Sequence, residues 1–393
     1  MITSATVIAG LVLTLLLPIY PEGMSPDIAA FFGLITVAAM GGLTHRAARR
    51  ELMVIAPWGA VLLLGMFVGS VQGGEPRQAV EDTLPYLLFV MGLVAGRGVM
   101  WPRRVLVVAL AVCVIDSVIS LYKMPSFSPD VRSTYTYWKI TAGLPLVGMA
   151  LSALLRHTDP QARSPSVLAR PLHGAAMAVM FVAMVATISR GMMLGWVLGA
   201  VVTAYIRKPS QMLAAALLLG VAFLVYSSLF AEIGTRYFRA DQADTIEGRF
   251  REIETAWDTF VHHPLLGAGL GATFEVDGFY KAYVHNMAAY HLWKFGLVGS
   301  VLLALPLWFI ARQLRASTRT PRAIVIGGAA AIIAYLVTCA AYKTYYLVWI
   351  YGVVAGASLS WLTAWRQRST LAPPEPTHEV APSGPPGPVA SHA

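Results

Sequence analysis

The sequence predicts an all-α protein that crosses a membrane many times. Three observations carry that expectation. Hydrophobic residues make up 57% of the 393 residues and charged residues only 12%, about half the charged share of an average soluble domain. The apolar residues fall in blocks of roughly 15–21, and at about 1.5 Å rise per helical residue a block of that size crosses a bilayer. Lys and Arg gather in alternate connections between those blocks, as the positive-inside rule requires.

Taken in order, twelve hydrophobic segments are expected: 2–20, 27–43, 52–71, 80–96, 105–122, 140–155, 172–189, 191–206, 211–230, 286–311, 323–342 and 344–365. The first has no charged n-region and reads as a retained span rather than a cleaved signal. The apolar cores of the fourth and sixth are short. Cys113 and Cys339 both sit inside apolar segments and read as small core residues, not as a disulfide or metal pair. The net charge of +9 follows from the basic connections, so it does not point to nucleic acid.

Charge placement orients the spans. One set of connections carries Arg46, Arg49 and Arg50; Arg97, Arg103 and Arg104; Arg156, Arg163 and Arg170; Arg207 and Lys208; Arg312, Arg315, Arg319 and Arg322; and then Arg366 and Arg368. The opposite set carries only Arg77, Lys123, Arg132, Lys139, Arg190 and Lys343. Both termini are therefore expected in the cytoplasm, and the long loop 231–284 outside, on the periplasmic face of a Gram-negative cell. Residues 1–368 form one transmembrane helical domain with that loop between spans nine and ten. The Pro- and Ser-rich stretch 369–393 is expected to be a disordered cytoplasmic tail.

The loop holds the chemistry. Phe250, Ile253, Trp257 and Phe260 recur at helical spacing over 249–261, with Arg251, Glu252, Glu254 and Asp258 on the other face. That pattern predicts an amphipathic helix on the outer membrane surface, ended by Pro264. Arg249 stands at the expected helix start, where backbone N–H groups also favour anions; Arg251 points elsewhere. Arg190 occupies a tight turn, Ser189-Arg190-Gly191, on the face where positive charge is disfavoured, and an ionisable residue at that depth is a functional candidate. Snorkelling to lipid headgroups explains it about as well.

His285 and Asn286 open the tenth span, where the positive end of the helix dipole favours the neutral ring that a general base needs. Gly267, Gly269 and Gly271 point first to a plain tight turn and second to a phosphate cradle of exposed N–H groups. Tyr135, Tyr137, Trp138, Phe279, Tyr280, Tyr283, Tyr342, Tyr345 and Tyr346 crowd the outer loops; they suit an interfacial belt and, in their flat faces, sugar rings. No Asp-x-Asp pair lies in an outer loop, and His285 and His291 fall on different helix faces, so no metal and no other cofactor is expected. Asp116 lies inside the fifth span without an assignable partner.

Four motifs in order resemble the superfamily of O-antigen ligases and Wzy-type polymerases. They are Ser189-Arg190-Gly191; Gly248-Arg249-Phe250 followed by Trp257; His263-Pro264-Leu265-Leu266-Gly267-Ala268-Gly269; and His285-Asn286 followed, after nine residues, by Gly296-Leu297-Val298-Gly299. The resemblance covers roughly 172–310. It implies a glycosyltransferase that takes a glycan from undecaprenyl pyrophosphate at the periplasmic face of the inner membrane. Arg190 and Arg249 would hold the pyrophosphate, and His285 would act at the acceptor hydroxyl. Asn286, Arg251, Gly267, Gly269 and Gly271 would support them. The reaction is expected to be metal-independent and inverting, with lipid A–core as acceptor for a ligase or another repeat unit for a polymerase. One dominant outer loop favours the ligase, whereas Ser300-Val301 after Gly299 departs from the Thr-Tyr of many ligases and keeps the polymerase open. A flippase for a lipid-linked anion, with Arg190 and Asp116 along its path, is the alternative from another class.

Overall fold

A computed structural model describes residues 1–17, 25–123, 143–158, 169–186, 190–210, 212, 243–276, 278–314, 317–339 and 345–371. Twelve helices and one small hairpin are found among them: α1 Ile2–Leu13, α2 Pro26–Leu43, α3 Arg46–Val71, α4 Pro76–Arg97, α5 Pro102–Lys123, α6 Leu144–Thr158, α7 Ala169–Ala186, α8 Arg190–Arg207, α9 Ala243–His262, β1 Phe274–Val276, β2 Phe279–Lys281, α10 Met287–Gln313, α11 Arg319–Cys339 and α12 Tyr345–Leu371. Helices α1 to α8 and α10 to α12 occupy eleven of the twelve expected segments; the ninth, 211–230, lies outside the described residues. Among the described residues seven helices are long and apolar enough to cross a membrane. The protein is a mostly helical, multi-pass membrane protein.

The helices are apolar on both sides. α3 buries Ile55, Trp58, Val61 and Leu62 yet leaves Met53, Leu63 and Phe67 more than half exposed. Water would not tolerate so much outward apolar surface, but lipid does. Between helices the contacts rely on close backbone approach. α4 and α12 run parallel, with Gly92 and Gly96 set against Gly352 and Gly356. A Cβ at Gly92 would collide with the Trp349 carbonyl, and one at Gly352 with the Phe89 carbonyl. These are paired small-xxx-small faces, which drive helix association where the hydrophobic effect gives no preference. α8 and α11 pack antiparallel in the same manner, through Gly199 and Gly327.

These contacts fix which helix ends lie together. α4 and α12 begin at one end. α11 ends there, since Gly195 near the start of α8 meets Ala331 and Tyr335, and Gly143 just before α6 meets Tyr335 and Tyr351. The first residue of α8, Arg190, is therefore at the same end as the start of α4. The loop 243–286 docks there too, through its glycine-rich turn.

That turn wedges into the bundle. Leu270 N–H donates to the Gly65 carbonyl of α3 at 2.8 Å, Ala268 N–H to Trp293 O at 2.7 Å, and Glu75 N–H to Gly271 O at 3.0 Å. Gly269 adopts φ 79° and lies so close to Gly69 that any side chain would strike its backbone. α10 opens at Asn286, whose Oδ1 caps Ala289 N–H at 2.9 Å, a standard helix start. It then breaks at Gly296, φ 62° and ψ −167°. The second half starts anew, with Leu297 and Val298 N–H donating to Pro264 O and Leu265 O at 2.9 and 3.1 Å. The expected single span 286–311 is thus two helical halves joined at a kink, because the loop inserts into its backbone ladder.

Beside the break lies a fully buried ion pair. Lys294 Nζ donates to Asp82 Oδ2 at 2.7 Å and to Ala272 O at 2.5 Å. Asp82 also accepts from Gly271 N–H and from Gln78, both at 3.0 Å. Lys294 stands 4.2 Å from the Trp293 ring centroid. The fourth segment looked short in apolar residues because it carries this polar anchor.

Two further boundaries differ from expectation. α9 begins at Ala243, before the expected 249, so Arg249 lies in its second turn and not at its N-terminus. α12 continues to Leu371, into the stretch assigned to the tail. Removing one partner of a buried pair leaves an uncompensated charge. Lys294→Met is therefore expected to destabilise the protein by about 3–5 kcal/mol. Asp82→Asn/Lys294→Met, which keeps an oxygen for Gly271 N–H, should recover part of that loss. Melting in detergent measures both.

Candidate active site

The site is built where α9, the hairpin and the start of α10 meet. α9 turns an unexpected face inward. Glu252 is 2% exposed and Ala256 1%, while Phe250 is 67% and Trp257 52% exposed. Phe250 and Trp257, expected to anchor the helix, do point outward. The residue that docks the helix is an acid of the polar face.

Glu252 is gripped by three donors. Lys281 Nζ, at the end of β2, donates to Oε1 at 2.6 Å. His285 gives Oε2 its backbone N–H at 3.2 Å and its ring Nδ1 at 2.8 Å. Burial alone would push the carboxyl up. The hydrogen bonds from His285 and Lys281 outweigh it and hold the group down, from 4.5 to about 2. Glu252 is therefore ionised, and an ionised carboxylate only accepts. In the neutral ring the hydrogen therefore sits on Nδ1, facing its partner, and the lone pair on Nε2. Among the described residues Nε2 has no hydrogen-bond partner, and the side chain is 27% exposed. The Tyr283 ring stands edge-on, 5.1 Å from the imidazole.

Arg249 precedes Glu252 by three residues, so both lie on one helix face, and Arg249 is half-buried. Arg190 starts α8 at this end of the bundle; its side chain lies outside the described residues. Arg251 turns away, onto Glu247 at 2.6 Å on the exposed side. Asn286 serves as the cap of α10. Gly267 N–H is engaged by His263 O at 2.9 Å, Gly269 N–H by Lys294 O at 3.0 Å, and Gly271 N–H by Asp82. The Gly269 and Gly271 amides hold the loop in the bundle, and the Gly267 amide closes the turn on itself. Phe279 and Tyr280 are 71% and 78% exposed on β2. Tyr135, Tyr137, Trp138 and Tyr342 lie outside the described residues. Asp116 is buried within α5.

Among the described residues no group of three or more His, Cys, Asp or Glu side chains gathers to hold a metal ion. An apolar cavity of about 430 Å³ lies between α6, α8 and α11 and reaches Arg207 and Lys208, away from His285.

The sequence reading missed Glu252, Lys281, Asp82 and Lys294. Lys294 and Asp82 carried a signal, as ionisable residues inside apolar spans. Glu252 carried none, since helical periodicity assigns an acid beside Arg251 and Glu254 to solvent.

Fold and site together define a multi-pass helical membrane protein with a histidine–carboxylate pair on a docked loop. Residues 175–304 match the family described as O-antigen ligase, which supports the resemblance to the O-antigen ligase and Wzy-type superfamily over that segment. The members of that family are glycosyltransferase-like enzymes, ligases and polymerases. A search of curated proteins returns no match.

Because the Glu252 carboxyl is depressed, its contribution to docking α9 is complete above about pH 4.5 and is lost as pH falls towards about 2. Melting of the wild type should decline across that window. Glu252→Gln should melt lower at neutral pH and lose that part of the slope.

Proposed function

We propose that the protein is an O-antigen ligase of the bacterial inner membrane. It transfers a glycan from undecaprenyl pyrophosphate to a sugar hydroxyl of lipid A–core, at the periplasmic face, with both termini in the cytoplasm. The observation that carries this reading is the His285 ring, part-exposed on the docked loop with Nδ1 committed to Glu252 and Nε2 available.

In this mechanism Nε2 takes the proton of the acceptor hydroxyl as its oxygen attacks the anomeric carbon. A new C–O bond forms on the face opposite the leaving group, so the configuration inverts. The C–O bond to the diphosphate breaks, and its electron pair departs with the lipid pyrophosphate. Arg190 and Arg249 stand for the charge that develops there. A guanidinium fork meets phosphate oxygens in bidentate fashion, and charge stabilisation of this kind is often the largest catalytic contribution. The reaction needs no metal in this reading, because the two arginines carry the compensating charge. The glycan enters already activated by its lipid carrier, whose tail stays in the bilayer.

The test uses purified protein with an undecaprenyl-pyrophosphate-linked glycan, with and without lipid A–core, and chelator throughout. Product that requires lipid A–core and resists the chelator is expected. His285→Ala should lower transfer by about 10²–10⁴-fold, and Arg190→Ala or Arg249→Ala by about 10²–10³-fold. Chain growth on the carrier without lipid A–core would make the protein a polymerase. Full transfer by all three variants would remove the mechanism, and carrier crossing the bilayer without transfer would make the protein a flippase.

A further inference from the structure

We infer that Glu252 is the positioning residue of the site: it fixes His285 in the Nδ1–H tautomer, and Lys281 fixes Glu252. The inference rests on the reading of His285 as the proton acceptor and extends it to two residues outside the matching motifs. Its basis is the way the carboxylate is divided. One oxygen, Oε1, is taken by Lys281 at 2.6 Å, and the other, Oε2, by the His285 ring and backbone at 2.8 and 3.2 Å. A carboxylate that merely fastened α9 to the hairpin would be served by the lysine alone. Here the second oxygen is spent on the imidazole, and the backbone bond from the same residue fixes the distance between ring and carboxylate. Tyr283 borders the ring. Ring rotation and proton position are both determined.

Two consequences follow for the chemistry. The lone pair is kept at Nε2, the nitrogen without a partner among the described residues. When Nε2 takes a proton, the positive charge on the ring faces a buried negative oxygen 2.8 Å away, which costs no reorganisation. Carboxylate partners of this kind set the tautomer of functional histidines in other settings.

Lys281 makes the inference testable in a way that a fastening role does not share. In Glu252→Gln the amide has one oxygen and one NH2. The cation claims the oxygen, since a charge-assisted bond outweighs a neutral one. The NH2 is then turned to Nδ1, which must accept. The ring hydrogen moves to Nε2, and the base is lost. Removing the lysine as well releases the amide oxygen to turn back to Nδ1.

The experiment compares wild type, Glu252→Gln and Glu252→Gln/Lys281→Met by two readouts. One is transfer to lipid A–core, resolved into kcat and KM. The other is the nitrogen-15 NMR signature of the His285 ring, assigned against His285→Gln and recorded where the ring is neutral. The wild type is expected to show the Nδ1–H tautomer. Glu252→Gln should show the Nε2–H tautomer with kcat lowered about 10²–10⁴-fold, the range of a misplaced base proton, and an acceptor KM within about threefold. The double variant should regain the Nδ1–H tautomer and about tenfold or more in kcat. A wild-type tautomer and rate in Glu252→Gln would overturn the inference while leaving any loss in His285→Ala intact. A double variant no better than the single would overturn it too. A tautomer that switches with no loss of transfer would instead overturn the role of His285 itself.

Discussion

The interaction on which the rest of the structure depends is the buried pair of Asp82 and Lys294. Two charges taken out of water lose several kcal/mol each in hydration, and mutual attraction alone seldom returns it. Here the deficit is met by neighbours. Gln78 and Gly271 N–H share the carboxylate, while the Ala272 carbonyl and the Trp293 ring face the ammonium. These partners come from three parts of the chain: α4, the glycine-rich turn and α10. The pair is stable only when all three are in place, so it specifies their arrangement more than it adds to stability.

From that anchor the geometry of the site follows. The turn at Gly267–Gly271 is held between α3 and α10, and the carbonyls of Pro264 and Leu265 just before it cap the second half of α10. The first half then starts from a fixed point, with Asn286 as its cap and His285 just before it. α9 is pulled onto this frame by Glu252. A histidine on an outer loop would otherwise sample many positions. This one is tied to the interior of the bundle through two short chains of contacts, one running through Lys281 and the hairpin and the other through the broken helix.

How much of this was legible in the sequence depended on the kind of signal. The apolar helices were legible because lipid selects for apolar blocks: eleven of the twelve segments are helical where expected, and seven of those helices are long and apolar enough to cross a membrane. The loop helix was visible from the spacing of Phe250, Ile253, Trp257 and Phe260, and His285 from its place before Asn286. The inward turn of Glu252 was not, because its burial depends on two partners, Lys281 and His285, that lie about thirty residues on. The break at Gly296 was hidden for a related reason: a glycine inside an apolar run is ordinary, and only the arrival of Pro264 and Leu265 makes it a break. Gly92-x-x-x-Gly96 and Gly352-x-x-x-Gly356 carry the signal of a packing pair in the sequence itself. The glycines at 267, 269 and 271 were correctly seen as a turn, but their amides serve the fold.

The break in α10 also changes what counts as a part in this protein. By hydropathy the loop and the bundle are separate modules, joined at two points. By hydrogen bonding they are not, for the carbonyls of residues 264 and 265 complete a helix that belongs to the bundle, and α3 and α4 complete the turn that belongs to the loop. The unit that folds, and the unit that could be exchanged between related chains, is therefore the loop with α3, the start of α4 and both halves of α10. A transplanted loop without Gly69, Asp82 and Lys294 would reach its new host with nothing to close against.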